Sequence, residues 1–409
     1  MIELESEGKT PEYMELADLK FMLSLPEYRD NDTLKQKLMT GIQANDMAPY
    51  YSIVCSDFGW ELNDDLLLKM QEVNAAKLLD FDRYDTVKSN DDDVNPKLWQ
   101  GKLEYLCSIG DKEISLKLAR DKSQDTSLSV NCRLDAIFTT FRIAYFHGCD
   151  LKNMRNAIEK ANELIDVSTG VGGDWSARNK LKAYEAVCSL GHRNYSRAAY
   201  LFLDAVPTFE SYELLDFVSM IKYTVLSCMI ALSRCEMNTK FKKNSALTQA
   251  LHTHNSDIRR FYEYLYDGQY ALFFESLAKI EKSMRNDKLL HPHYRHYVRE
   301  MRLKAYSQLL QAYSSLSLKS MADAFNVSEE YIEKEVSRFA ALGRLQCKID
   351  CVARRVIPSG FVSDGRCENN LSASVPEAMY KQGIMYQVTI KHGDILLNRL
   401  KKLGRVMDF

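Results

Sequence analysis

Four segments of this 409-residue chain repeat one plan: an apolar helix, a glycine, then a second helix rich in small and aromatic residues. They are YLCSIGDKEISLKLA at Gly110, YFHGCDLKNMRNAIEKA at Gly148, VCSLGHRNYSRAAYLFL at Gly191 and YLYDGQYALFFESLAKI at Gly268. The glycines are 38, 43 and 77 residues apart, the last gap being close to two repeats. A helix pair leaves an apolar face that the next pair must bury. A period of ~40 residues with two helices per unit therefore specifies a mainly α chain, an α-solenoid of TPR or HEAT type. Glycine permits the positive φ that tightly joined helices need, and Ala157, Ala198 and Ala199 let paired helices approach closely. Unrelated hairpins sharing glycine turns are the alternative; on either reading 97–310 is helical.

Composition narrows the class. With only 8 Pro and 17 Gly, helix is favoured over disordered or collagen-like chain. At roughly 150 residues per domain, the length suggests two to three domains. The 54 basic and 56 acidic residues nearly cancel, which argues against a generally basic nucleic-acid binder but leaves room for a local patch. The start, MIELESEGKT, is acidic and lacks the apolar core of a secretory signal. The longest apolar stretch, Phe217 to Ser233, contains Lys222 and is short for a span of about 20 residues. It reads as a buried solenoid helix, and no membrane partner is expected. Ten Cys without a CxxC read as reduced, buried thiols of an intracellular protein.

Residues 1–96 form an N-terminal helical region. One helix carries Leu16, Leu19, Phe21, Met22 and Leu25 and stops at Pro26; another covers Asp32 to Ile42. Asn63 caps a long helix through Leu66, Met70, Val73 and Lys77 towards Val87, with two acids suited to the helix dipole. Ser89 to Pro96 is an acidic, turn-rich break.

The pattern changes after Leu310. Leu318, Met321, Ala322 and Phe325 form one face of a short helix, and Asn326 and Val327 make a tight turn. Ser328 caps a helix whose inner face is Ile332, Val336, Phe339 and Ala340, ended at Gly343. Leu345 to Ile349 alternates as a strand, Asp350 turns, and Val352 to Ile357 returns. Helix, turn, helix and β-hairpin make a winged helix within 311–390. Residues 358–383 read as an insertion, Tyr386 to Ile390 as a third strand, and 391–409 as a C-terminal helix centred on Ile395 to Met407. Leu396, Leu400 and Leu403 line one side of that helix, to be covered by its own wing or by a partner.

A winged helix invites a DNA reading. The helix that would enter the major groove carries Glu329, Glu330, Glu333 and Glu335 against Lys334 and Arg338, a net of −2, and phosphate would repel it. The region 343–409, with 11 basic against 6 acidic residues, leaves the wing itself available. His252 and His254, then His291, His293 and His296, tempt as metal ligands. A zinc isopeptidase needs an aspartate after ten intervening residues beyond its HxH, and those places hold Leu265 and Lys304. No HExxH or Cys/His zinc spacing occurs, and the histidines at 291–296 read as surface or capping residues. P-loop and GxSxG motifs are absent too, and Gly170 to Gly173 lacks a preceding strand and reads as a linker with Asp174 as N-cap. The chain offers no catalytic constellation and implies no cofactor or metal.

A helical-repeat array running into a winged helix and a last helix resembles the PCI-domain family of the proteasome lid, the COP-nine signalosome and a translation initiation factor. The resemblance is carried by GGDWSARNKLKAYEAV (172–187), AAYLFLDAVPTFESYELLDF (198–217), HPHYRHYVREMRLKAYSQLL (291–310), SRFAALGRLQCKID (337–350) and IKHGDILLNRLKKLGRV (390–406). The GRLQCKID and GDILLNRL segments resemble the proteasomal branch rather than the signalosome paralogue. The resemblance implies a non-catalytic scaffold in a hetero-oligomer, in cytoplasm and nucleus. Its implied partners are the other PCI subunits of the proteasome lid, the lid deubiquitinase and the ATPase ring, with no nucleic acid. It implies wing-strand contacts through Leu345, Cys347, Ile349, Val352 and Val356, and a helical bundle anchored by Leu396, Leu400 and Leu403. Leu318, Met321, Phe325, Ile332, Val336 and Phe339 are then the core of the winged helix. A signalosome scaffold and a nucleic-acid-binding winged helix are the competing readings.

Overall fold

The computed structural model describes residues 11–88, 96–168, 175–253, 256–313, 315–358, 389–390 and 392–404. These fall into two compact units: Met1–Ser227 with Gln249–Asn255 and Lys279–Arg295, and Cys228–Thr248 with Ser256–Ala278 and His296–Phe409.

The first unit opens with α1 (Glu12–Ser24), α2 (Asp32–Ala44), α3 (Ala48–Phe58) and the long α4 (Asp64–Lys88). Hairpins follow: α5 (Pro96–Ile109) with α6 (Lys112–Gln124), α7 (Val130–Phe146) with α8 (Leu151–Ser168), and α9 (Trp175–Gly191) with α10 (Tyr195–Ala205). Beyond each hairpin, α5 touches α7 and α7 touches α9, the stacking of a solenoid. Polar side chains start these helices: Asp111 accepts from the Ile114 N–H, and Asn194 from that of Arg197.

The glycine turns work in two ways. Gly110 and Gly148 take φ of 75° and 100°, as the sequence suggests. Gly191 differs, because it is the last residue of α9 and the positive φ falls on Arg193. Glycine is needed there for space: a Cβ would meet Leu151 Cδ2 at 2.5 Å. Its carbonyl oxygen is also 2.8 Å from His293 Nε2, while Arg193 Nε donates to His293 Nδ1 at 2.7 Å. His293 is thus a buried clamp rather than a surface residue. Residues 279–295 also return to α1: Lys288 pairs with Asp18 at 3.3 Å, and Phe21 meets the His291 ring at 5.3 Å.

The second unit holds the end of α11 (Phe217–Ala231), α12 (Arg234–Lys243), parts of α13 (Ser245–Thr253), α14 (Ser256–Asp267), and parts of α15 (Tyr270–Arg285) and α16 (Tyr294–Leu310). The apolar stretch at 217–233 is the buried helix expected of it, and no helix among the described residues is long and apolar enough to cross a membrane. Lys304 Nζ, itself buried, donates to the carbonyls of Met229 and Leu232 and so caps the end of α11.

The winged helix completes this unit: β1 (Leu316–Ser317), α17 (Leu318–Phe325), α18 (Glu329–Ala341), β2 (Cys347–Asp350) and β3 (Arg355–Pro358). Ser317 caps α17 through the Ser320 N–H, and Asn326 ends it at φ 53°. Ser328 stands at the start of α18 but makes no capping hydrogen bond. Leu318, Met321, Phe325, Ile332, Val336 and Phe339 are all buried, and Phe325 meets Phe274 and Tyr306 at 4.8 Å between centroids.

The sheet corrects two expectations. Its order is β1-β3-β2, so the third strand is Leu316–Ser317. Of the expected strand Tyr386 to Ile390, residues 386–388 lie outside the described residues, and Thr389 and Ile390 are helical. The returning strand begins at Arg355, and Val352 lies in the turn 351–354. The reason is Asp350, whose Oδ1 accepts from the N–H groups of Val352 and Ala353 at 3.0 Å each. Of the expected insertion 358–383, Pro358 ends β3, and 359–383 lie outside the described residues, as do Asp174, His254 and 405–409.

Candidate interaction surfaces

The wing is shaped by its pairing. β3 is central: Leu316 and Ser317 face Val356 and Arg355 on one side, and Cys347 to Asp350 face Pro358 to Arg355 on the other. Val356, fully buried, is therefore held between two strands and has no edge to offer. Among the described residues, the four-residue free edge belongs to β2. Its inward side chains, Cys347 and Ile349, are half-buried, while Lys348 and Asp350 are exposed. Leu345 precedes the strand and is buried. Val352 is 98% exposed at the wing tip. Of the five residues expected on a wing interface, Cys347 and Ile349 thus share the open strand, and the other three do not.

Residues 392–404 are helical. Leu396, Leu400 and Leu403 are 58%, 63% and 58% exposed, and Ile395 and Leu397 join them. Nothing among the described residues covers the stripe, the described part of the wing included. At about three-fifths exposure each leucine leaves roughly 1–2 kcal/mol of burial unrealised.

The electrostatics of α18 also differ from the sequence reading. Glu335 is buried, and Glu329 pairs with Arg354 at 3.4 Å. Glu330 and Glu333 remain on the exposed face with Lys334 and Arg338, a balanced set rather than a net of −2. This helix therefore repels phosphate less than its sequence suggests.

The cysteines are not all buried as expected: Cys235 and Cys351 are exposed. Burial pushes Cys347 up to about 11 and Cys107 and Cys228 up to about 12. Among the described residues, no three His, Cys, Asp or Glu side chains gather as a metal site. A cleft of about 1040 Å³ in the first unit contains Lys222 paired with Asp287 and Lys288 paired with Asp18.

The profile of the family described as 26S proteasome subunit RPN7 matches residues 63–240, and the PCI domain matches 277–359. A profile for the C-terminal helix of 26S proteasome regulatory subunit RPN7/PSMD6 matches 385–407, the segment with the exposed leucines. The 26S proteasome non-ATPase regulatory subunit 6 homolog of Arabidopsis thaliana is 33% identical over 98% of this chain and 99% of its own length. The chain belongs to the family of the 26S proteasome non-ATPase regulatory subunit 6. The Caenorhabditis elegans member of that family is 34% identical over 97% of this chain and 93% of its own. Subunit 1 of the COP9 signalosome of Arabidopsis thaliana is 25% identical over 61% of the chain, a weaker and shorter match.

Sequence reasoning missed that Glu335 is buried and that its partners, Arg302 and Tyr306, join α18 to α16. The available signal was a glutamate inside the apolar stripe Ile332, Val336 and Phe339.

Proposed function

We propose that this member of the subunit 6 family is a non-catalytic scaffold of the proteasome regulatory-particle lid, supporting ATP-dependent degradation of ubiquitinated proteins. Its partners on this reading are the other PCI subunits, the lid deubiquitinase and the ATPase ring, in cytoplasm and nucleus. The observation that carries the reading is the uncovered leucine stripe on residues 392–404, within the segment that matches the family's C-terminal helix. Leu396, Leu400 and Leu403 anchor it in a helical bundle, and the free edge of β2 pairs with a neighbouring strand. The division of labour follows the chain: 1–96 and 97–310 form the arm, 311–390 the wing and 391–409 the anchor.

The test is Leu400→Asp in the full chain, tagged and recovered from cells in low salt with nucleotide. Lid and ATPase subunits should fall at least tenfold in the recovered complex while the free chain keeps its thermal midpoint. Unchanged recovery refutes the anchor. Recovery of signalosome subunits with the wild-type chain would favour the paralogue instead.

A further inference from the structure

Glu335 occupies a core position. Ile332, Val336 and Phe339 mark the buried stripe of α18, and Glu335 lies within it at 8% exposure. Its two oxygens are taken from α16: Tyr306 Oη donates to Oε2 at 2.6 Å, and Arg302 Nη1 lies 2.6 Å from Oε1. Arg302 Nη1 also donates to Tyr331 Oη, and Arg344 pairs with Glu300 of α16. The seam between α16 and α18 is therefore polar at its centre, although aromatic rings surround it.

Stability alone does not explain this choice. Burying a charge pair costs desolvation that close contact only partly offsets, and apolar replacements of similar volume are often neutral or stabilising. Arg302 Nε has no partner among the described residues, so the network is not even fully satisfied. What a hydrogen-bonded carboxylate supplies, and a leucine does not, is direction. An apolar seam can slide or rotate at little cost, whereas two bonds to two oxygens accept one geometry. Burial and the bond to Glu335 hold the Tyr306 phenol well above its ordinary range, so it stays a donor.

We propose that Glu335 is a positioning residue: held by Arg302 and Tyr306, it fixes the angle of the winged helix on α16, and so the direction in which the free edge of β2 faces. The consequence for assembly rests on the scaffold reading above; the orientation itself does not.

The test uses the full chain with Cys235→Ser and Cys367→Ser, spin-labelled at exposed Cys351 and at Arg299→Cys on α16. The parent should give one narrow distance distribution. The apolar triple variant Arg302→Met, Tyr306→Phe, Glu335→Leu should at least double its width while the thermal midpoint moves by no more than about 3 °C. Glu335→Gln, which keeps the bonding shape, should stay near the parent width. A triple variant as narrow as the parent overturns the proposal, and so does equal broadening in Glu335→Gln. If the triple variant fails to fold, Tyr306→Phe carries the same test with every ring contact retained. Failure of the scaffold reading shows separately, as normal lid incorporation by Leu400→Asp.

Discussion

Lys304 sets two effects against each other, and its titration measures which wins. Its ammonium is buried against the end of α11 and donates to the carbonyls of Met229 and Leu232. Burial lowers its pKa to about 8. An unfolded lysine titrates near 10.4. Between those values the unfolded chain binds the extra proton, so stability rises with pH across that window and is flat below it. From pH 7 to 9.5 the gain is about 2 kcal/mol, taking 1.36 kcal/mol per unit and allowing for partial titration at the upper end. Lys304→Met lacks this gain. The assay is urea unfolding of both chains, followed by circular dichroism at several pH values. Subtracting the curves removes the opposing contributions of tyrosines and thiols, which are common to both. With a slope of about 3 kcal/mol/M, the wild-type midpoint should climb by roughly 0.7 M relative to the variant. Parallel curves would refute the reasoning and show that the two carbonyls hold the proton against burial.

Burial, with Lys112 and Lys20 nearby, lowers His147 to about 4. The unfolded chain then takes up the proton first on acidification, so stability falls by about 2 kcal/mol from pH 7 to 5; His147→Phe should flatten that limb in urea titrations. Val356→Asp puts a carboxylate on a fully buried central strand and should cost at least ~3 kcal/mol, seen as lost amide protection in β2 and β3. Leu400→Asp lies on an exposed site and should change the free chain's stability by less than about 0.5 kcal/mol, even where it abolishes assembly.

The solenoid was legible because its signal is local and repeated. A glycine between two periodic helices marks each hairpin without knowledge of any distant contact. Gly191 shows the limit: the residue was found, but its reason, the approach of Leu151, is tertiary. The winged-helix core was legible for the same reason as the repeats, since Leu318 to Phe339 follow helical spacing. The sheet was less so. Two residues make β1, too few for an alternating pattern, and only their pairing with Val356 and Arg355 defines the strand. Asp350 held the clue to the late start of β3, because an aspartate before a turn accepts from the next N–H groups. Glu335 was counted among exposed acids because its partners lie 29 and 33 positions away in sequence.

The short β1 has a consequence for how such wings join. By covering one flank of β3, it leaves the described sheet with two unequal edges, four residues of β2 and two of β1. On the scaffold reading the longer edge of β2 offers a neighbouring strand more backbone bonds than the two residues of β1. On the same reading the exposed leucine helix adds a connector of different chemistry. Neighbours would on that reading be told apart by two unlike codes, backbone pairing at the wing and apolar side chains at the helix, so neither could be mistaken for its counterpart.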